Sequence, residues 1–441
     1  MKINFINHAS LIVESNTFKV LTDPWFNGTV FNNGWKLIHE TSHRDVKKIL
    51  NKINYIWISH EHPDHFSVPF FKKYKEDIIK NKINVLFQHT EDKRVKSFLN
   101  MQGIEVVELE FNKIIEIEKN VYLYLYKFGF YDSAIIIKDQ KDTFLNLNDC
   151  PVSKSEMLSI AKKFKNINYV ATQFSYAAWK GGIKNIKWRK DAALEKIEII
   201  KNIQRFGKPD NIILFASFSF FSREENYYLN DCWNSPLKII NQLSNQECKI
   251  IVASPFECIN KMDDKSIIKS AKFWENKHNK LLKSPEFDKI ENLTIEDLEK
   301  VCDKSFQRFH KNNNITLLKF LNIVSLGKIC NSVNFYISDL NLYVKVDLIN
   351  KLFAVMNLIK ADITLKATDF NFLHGFDYGF DTLTVNGCFE ENSSNGFKKM
   401  ILSYSLFSLN NTGLNFGFKI FFNLVIVKKF LELFYKVISK N

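Results

Sequence analysis

Apolar and polar positions alternate with a period of two through residues 2–14 and 17–22, which predicts a pair of strands. A loop rich in Gly and Asn follows at residues 24–34. The short apolar run 55–59 predicts a buried strand that ends where Pro63 turns the chain. Beyond it the two periods alternate. Helices are predicted over 68–80, 91–101, 153–164, 192–206 and 236–243, and strands over 83–88, 106–109, 169–174, 212–215 and 249–253. Three further strands, 121–127, 133–138 and 143–148, are joined by short polar turns. Consecutive strands early and helices between strands later imply two sheets sandwiched between helix layers.

At 441 residues the chain exceeds what one hydrophobic core usually spans, so two domains are expected. The α/β alternation fills residues 1–260. Residues 261–314 turn charged and helical and read as a connector. In residues 315–441 the character changes again: 333–346 alternates strongly, and 361–366 and 382–390 are further strand candidates. They predict a small α+β accessory domain. The most apolar stretch, 416–437, is interrupted by Lys419, Lys428, Lys429 and Glu432, which predicts an amphipathic helix packed on its own domain.

Composition narrows the classes. A formal charge of +13 favours an anionic small-molecule partner, while the lack of any long basic run argues against nucleic acid. Seven cysteines with no CxxC or Cys-x-His pair predict no iron–sulfur cluster and fit a reducing cytoplasm. The first residues lack a signal peptide's features, and no 18 apolar residues run together, so no transmembrane segment is expected. Homo-oligomerisation is left open.

The chemistry concentrates in Ser59-His-Glu-His-Pro-Asp-His65. Three imidazoles and a carboxylate at the end of a buried strand are the donor set of borderline metal ions. His60 and His62 lie two apart, so in extended chain they project to one side and chelate one ion. Asp64 and His65 reach a second ion. Asp149 ends another apolar strand before Pro151 and is the candidate carboxylate between two ions; capping the helix near Ser153 is its alternative role.

With Thr22-Asp23-Pro24 before it and Asp149 after it, this loop resembles the metallo-β-lactamase fold superfamily. More closely, the chain resembles the branch containing CMP-N-acetylneuraminate hydroxylase and UDP-N-acetylmuramate hydroxylase. The stretches that carry this are Asn7-His-Ala-Ser-Leu-Ile-Val-Glu14, Leu21-Thr-Asp-Pro-Trp-Phe-Asn-Gly28, Phe31-Asn-Asn-Gly-Trp35, Ile56-Trp-Ile-Ser-His-Glu-His-Pro-Asp-His-Phe66, Leu145-Asn-Leu-Asn-Asp-Cys150 and Gln173-Phe-Ser-Tyr-Ala-Ala-Trp179. The resemblance implies an αββα sandwich over residues 1–260, with a C-terminal α+β domain outside it. It implies two metal ions held by His60, His62, Asp64, His65 and Asp149, with Asp64 and His8 in catalytic roles.

The implied activity uses iron and oxygen to convert an N-acetyl group to N-glycolyl on a nucleotide-activated acidic amino sugar. Without a Rieske cluster's ligands here, such an oxygenase needs a separate electron donor, or a substrate that brings its own electrons. No histidine lies between His89 and His278, so Asp132 stands where a third ligand is expected, and Glu224 or Glu225 near the last. A carboxylate-rich site favours iron over zinc. His89 is a candidate extra ligand, and Asp23 a brace for a metal-bound histidine. Trp25, Trp35, Trp179 and Lys180 suit a nucleotide's base and phosphates, and Arg223 and Asn226 a sugar. The competing function is a metal-dependent hydrolase of an amide, lactone or phosphodiester, in which bound water is activated.

Overall fold

The computed structural model describes residues 1–129, 132–245, 247–287, 292–325, 330–357 and 360–417. The helix expected at 416–437 falls almost wholly outside them. The chain forms two compact units. One comprises Met1–Ala177, Ile186–Ser222 and Asn230–Glu286, the other Ala178–Asn185, Arg223–Leu229 and the chain from Phe287 onward.

In chain order the strands of the first unit are β1 (Lys2–Asn7), β2 (Ser10–Ser15), β3 (Phe18–Thr22), β4 (Thr29–Val30), β5 (Trp35–Leu37), β6 (Tyr55–Trp57), β7 (Asn84–Gln88) and β8 (Val106–Leu109). They continue with β9 (Ile114–Glu118), β10 (Val121–Phe128), β11 (Asp132–Lys138), β12 (Thr143–Asn146), β13 (Tyr169–Gln173), β14 (Asn211–Phe215), β15 (Ser219–Phe221) and β16 (Lys249–Ile251). Its helices are α1 (His43–Leu50), α2 (Val68–Lys80), α3 (Arg94–Met101), α4 (Lys154–Lys163), α5 (Ile186–Asn202), α6 (Pro236–Leu243) and α7 (Asp264–Lys283). One sheet runs β1-β2-β3-β6-β7-β8, the other β16-β14-β13-β12-β11-β10-β9, and β15-β5-β4 form a small ribbon.

The period-two pattern sorts side chains between layers. Leu11, Val13, Val20, Trp57 and Leu86 face the other sheet's Leu123, Leu125, Ile135 and Ile137 in one core. Their neighbours Ile12, Leu21, Ile56, Val85 and Phe87 turn outward onto Phe70, Phe71, Tyr74 and Ile78 of α2. On the far side of the second sheet, Tyr124 meets Phe164 after α4 at 5.0 Å. This is the expected αββα sandwich. Two elements carried signals that went unread: α1 starts at Ser42, whose side chain accepts from Asp45 N, and buries Val46, Ile49 and Leu50, and β9 is an additional edge strand.

The second unit has α8 (Ile295–Asn312), α9 (Ile315–Val324), β17 (Val333–Ile337), β18 (Leu342–Asp347), β19 (Leu352–Met356), β20 (Ile363–Leu365), α10 (Ala367–Gly375), α11 (Gly379–Asn386), β21 (Glu390–Glu391) and α12 (Gly396–Asn411). Its sheet has the order β19-β18-β17-β20-β21. Phe335 of β17 meets Phe370 of α10 at 5.4 Å and Tyr404 of α12 at 6.2 Å. The unit is α+β, as expected. The strand predicted over 382–390 is instead α11. β-branched Thr382, Thr384 and Val385 favour a strand locally, but Phe380 and Leu383 are buried side by side only as a helix. Gly387, at φ +67°, ends that helix in a conformation glycine adopts at little cost.

Burial holds His374 of α10 neutral, its pKa lowered from 6.5 to about 3, chiefly by desolvation and further by Arg308. Below pH 6.5 the unfolded chain gains a proton that the folded unit refuses. Stability is therefore lost as the pH falls from 6.5 towards 3, by roughly 4 kcal/mol from this group. Urea midpoints measured against pH should show a shallower acid slope for His374→Gln than for the wild type.

Candidate metal centre

The site gathers at strand ends of the first unit: the β1–β2 turn, the carboxyl ends of β3, β6 and β12, and the start of β11. Asp23 follows β3, and its N–H donates to Trp57 O at 2.9 Å, which ties it to β6. Asp23 is fully buried and adopts φ +38°. Its carboxylate accepts from Ser59 N (2.8 Å), Ser59 Oγ (2.8 Å) and His65 Nδ1 (2.9 Å).

These bonds fix two tautomers. Asp23 only accepts, so His65 Nδ1 carries a proton in either charge state, and Nε2 is the nitrogen that gives up its proton to a cation. Ser59 Oγ spends its hydrogen on Asp23 and can only accept from His60 Nδ1, at 3.0 Å. His60 Nε2 is therefore bare, and it faces His62 Nδ1 at 2.9 Å. Ser59 was not singled out from the sequence, because its role depends on an aspartate 36 residues away.

Asp149 is placed by Asn148, which adopts φ +44°. Asn148 Nδ2 donates to Ser133 O (2.7 Å) and its Oδ1 accepts from Asp149 N (2.7 Å). Ser133 Oγ in turn donates to Ser59 O at 2.7 Å, joining the two sheets at the site. The helix after Asp149 is capped by Ser153 in a capping box with Glu156, so that alternative task is already filled. Asp149 Oδ2 lies 3.8 Å from both His60 Nε2 and His65 Nε2. One oxygen thus sits between two imidazoles.

The donors fall into two groups, His60–His62–Asp149 and His8–Asp64–His65, each with ligand atoms within 4.8 Å of one another. His65 Nε2 lies 3.3 Å from Asp64 Oδ2 without the alignment of a hydrogen bond. Asp132 Oδ1 reaches to 3.9 Å from His60 Nε2 at the edge of the first group. His89 lies outside both groups, with Nδ1 3.6 Å from Glu108 on the surface.

Electrostatics fit a cation. Burial alone would lower the His65 pKa, but Asp64, Asp23 and Asp149 more than reverse it and hold it well above its ordinary value. Burial would raise Asp64, yet His65 and His8 hold it well below the carboxylate range. Burial lowers His60 and His62 and keeps them neutral. Between them Glu61 is pushed up to about 7, mainly by desolvation. Asp64 Oδ1, Asp149 Oδ1 and His65 Nε2 are buried without hydrogen-bond partners. Buried lone pairs of this kind are costly unless something positive meets them. The donor set suits one or two divalent ions, with His60, His62 and Asp149 holding one and Asp64 and His65 the other.

Asp23 should matter through His65 and Ser59 rather than by direct ligation. Asp23→Asn is expected to weaken metal affinity ~10–100-fold, read by competition with a chromogenic chelator.

The proposed substrate residues separate. Trp25 and Trp35 are buried beside the site: Trp25 lies edge-on to His8 at 5.2 Å, and Trp35 packs on Phe31 (4.8 Å), whose ring is 6.1 Å from His62. Both indole N–H groups are buried without a partner. The others belong to the second unit. Trp179 packs at a tilt against Phe389 and Phe397 (4.8 and 4.2 Å) and donates to Tyr228 Oη (3.1 Å). Arg223 pairs with Asp369, and Asn226 Nδ2 donates to Asn386 O at 2.7 Å. Lys180 lies in the same segment as Trp179. Glu225 and Glu224 both pair with Lys366. Structural contacts within that unit therefore occupy Trp179, Arg223, Asn226 and the two glutamates.

No described helix is long and apolar enough to cross a membrane. Residues 2–126 match the Beta-lactamase superfamily domain. The chain is 25% identical over 276 residues to the inactive cytidine monophosphate-N-acetylneuraminic acid hydroxylase of Homo sapiens, covering 58% of this chain and 52% of that protein. It is 23% identical over 272 residues to the cytidine monophosphate-N-acetylneuraminic acid hydroxylase of Cricetulus griseus, covering 58% and 47%. The crystal structure of CmlA, a diiron β-hydroxylase from Streptomyces venezuelae, aligns with a TM-score of 0.37 at 12% identity, covering 66% of this chain and 52% of that one. The chain spans about half the length of the curated relatives it matches. The region that carries the histidine loop thus matches the Beta-lactamase superfamily domain, in a chain similar over 58% of its length to cytidine monophosphate-N-acetylneuraminic acid hydroxylases.

Proposed function

We propose that this chain is a metal-dependent enzyme that oxidises the N-acyl group of a nucleotide-activated amino sugar, using iron and oxygen. The observation that carries the metal centre is Asp149 Oδ2, equidistant from His60 Nε2 and His65 Nε2 at 3.8 Å amid buried, unpartnered donors. Support for the substrate class comes from the hydroxylase relatives, which match over 58% of this chain. When bound, the ions supply Lewis acidity and, as iron, redox chemistry with dioxygen. The chain's own residues hold and shape the site. Asp23 and Ser59 keep His60 and His65 in the tautomers that ligate. Trp25 and Trp35 wall the site and offer indole N–H groups to a substrate acceptor. Conversion of N-acetyl to N-glycolyl inserts one oxygen atom of dioxygen into a C–H bond; the other leaves as water. That balance takes two electrons and two protons, which a separate electron donor supplies.

The β-lactamase superfamily match keeps a second reading in view, hydrolysis of an amide, lactone or phosphodiester. One experiment separates the two. Protein loaded with Fe(II) and given a CMP- or UDP-activated N-acetyl amino sugar and a reductant should consume oxygen and form the N-glycolyl product. Turnover that persists without oxygen, and peaks with zinc, would replace oxidation by hydrolysis.

A further inference from the structure

Resting on the reading that the loop and Asp149 hold metal ions, we infer that His8, from the β1–β2 turn, is itself a protein ligand of the ion at Asp64 and His65. His8 is 1% exposed, and neither of its ring nitrogens has a hydrogen-bond partner. A buried imidazole left so is unfavourable unless something meets its nitrogens. Its Nε2 lies 3.7 Å from Asp64 Oδ2, and its ring centroid is 6.3 Å from that of His65. The same Asp64 Oδ2 lies 3.3 Å from His65 Nε2, which has no hydrogen-bond partner either. With Nδ1–H of His65 committed to Asp23, these are lone pairs converging on one point. A hydrogen-bond donor would satisfy one of them; a cation satisfies all three.

The backbone holds His8 in this place at some strain. Its φ is +35°, a conformation that side-chain-bearing residues rarely adopt. Asn7 Oδ1 accepts from His8 N (2.9 Å), His8 O accepts from Ala216 N (2.8 Å), and Asn7 Nδ2 is anchored on His39 O (2.6 Å). Trp25 closes one side of the ring. The turn is thus clamped from three elements.

With His8 included, the two groups become alike. His60, His62 and Asp149 make two imidazoles and one carboxylate; His8, His65 and Asp64 make the same. His8 then fills the place of an imidazole that residues 90–277 do not supply. Two imidazoles and a carboxylate with open positions is the donor set of non-haem Fe(II) sites, so the assignment deepens the preference for iron.

The test is ion stoichiometry on the full chain, stripped with chelator and reloaded with Fe(II) under anaerobic conditions or with Zn(II). The wild type should bind about two ions and His8→Ala and His8→Gln about one. His8→Gly should regain the second ion when free imidazole is added. Two ions at unchanged affinity in His8→Ala, with altered KM alone, would make His8 a substrate-orienting group; the ligand assignment would then fail while the metal centre stood. No ion in the wild type would overturn both. Should the variants fail to melt cooperatively, ¹⁵N-histidine spectra of the zinc-loaded wild type decide. A metal-bound nitrogen on His8 supports the assignment, and two metal-free nitrogens reject it.

Discussion

Asp149→Ala is expected to lower turnover at least ~10³-fold and to make any two ions bind independently and weakly. The side chain is the only carboxylate with one oxygen 3.8 Å from imidazoles of both donor groups among the described residues. Losing it strips the first group to His60 and His62 and removes the negative charge that lets two cations sit close together. Charge stabilisation by bound metal is worth several kcal/mol in a transition state, and each 1.4 kcal/mol is tenfold in rate. Asp149→Asn keeps the shape and one acceptor oxygen but not the charge, so it should fall between alanine and wild type. Calorimetric metal titration of the three proteins reads this directly. Two tight sites surviving in Asp149→Ala would mean that the oxygen does not lie between two ions.

What the sequence disclosed about this site follows from how local each signal is. His60, His62, Asp64 and His65 lie within six residues, so their density alone marked them. Asp149 could be read because an apolar strand ends on it. Ser59 and Asn148 escaped because each acts through a partner brought by folding: Asp23 across 36 residues, and Ser133 across 15. His8 was visible only as a histidine near the site; that both its nitrogens are orphaned is a fact of packing. Fold legibility shows the same divide. α2 and α6 start and stop where period, Ser N-caps and proline place them. α11 reads as a strand until the burial of Phe380 and Leu383 is known. Trp179, Arg223 and Asn226 were grouped with their chain neighbours, whereas their segments pack with residues some 140–220 positions later.

The largest stability effect is expected at the Arg223–Asp369 pair inside the second unit. Two parallel bonds, Nη1–Oδ1 at 2.6 Å and Nη2–Oδ2 at 2.7 Å, join the guanidinium to a carboxylate that is 1% exposed. Burial opposes the charge on Arg223, but Asp369 outweighs it and holds the guanidinium firmly protonated. A third bond, Nε to Glu225 Oε2 at 3.1 Å, completes the fork. Asp369→Ala leaves a largely buried cation with half its partners, a change that costs ~3–5 kcal/mol. Arg223→Ala strands the carboxylate instead and should cost about the same. Removing both together, as Arg223→Met with Asp369→Leu, should recover most of the loss, because a buried ion pair is worth little more than apolar groups of equal volume. Two-domain chains need not unfold in one step, so the second unit's own denaturant transition is the quantity to follow. Metal content should stay at the wild-type level throughout, since the donors all belong to the first unit. An Asp369→Ala transition within about 1 kcal/mol of wild type would show that the pair contributes no more than an exposed salt bridge.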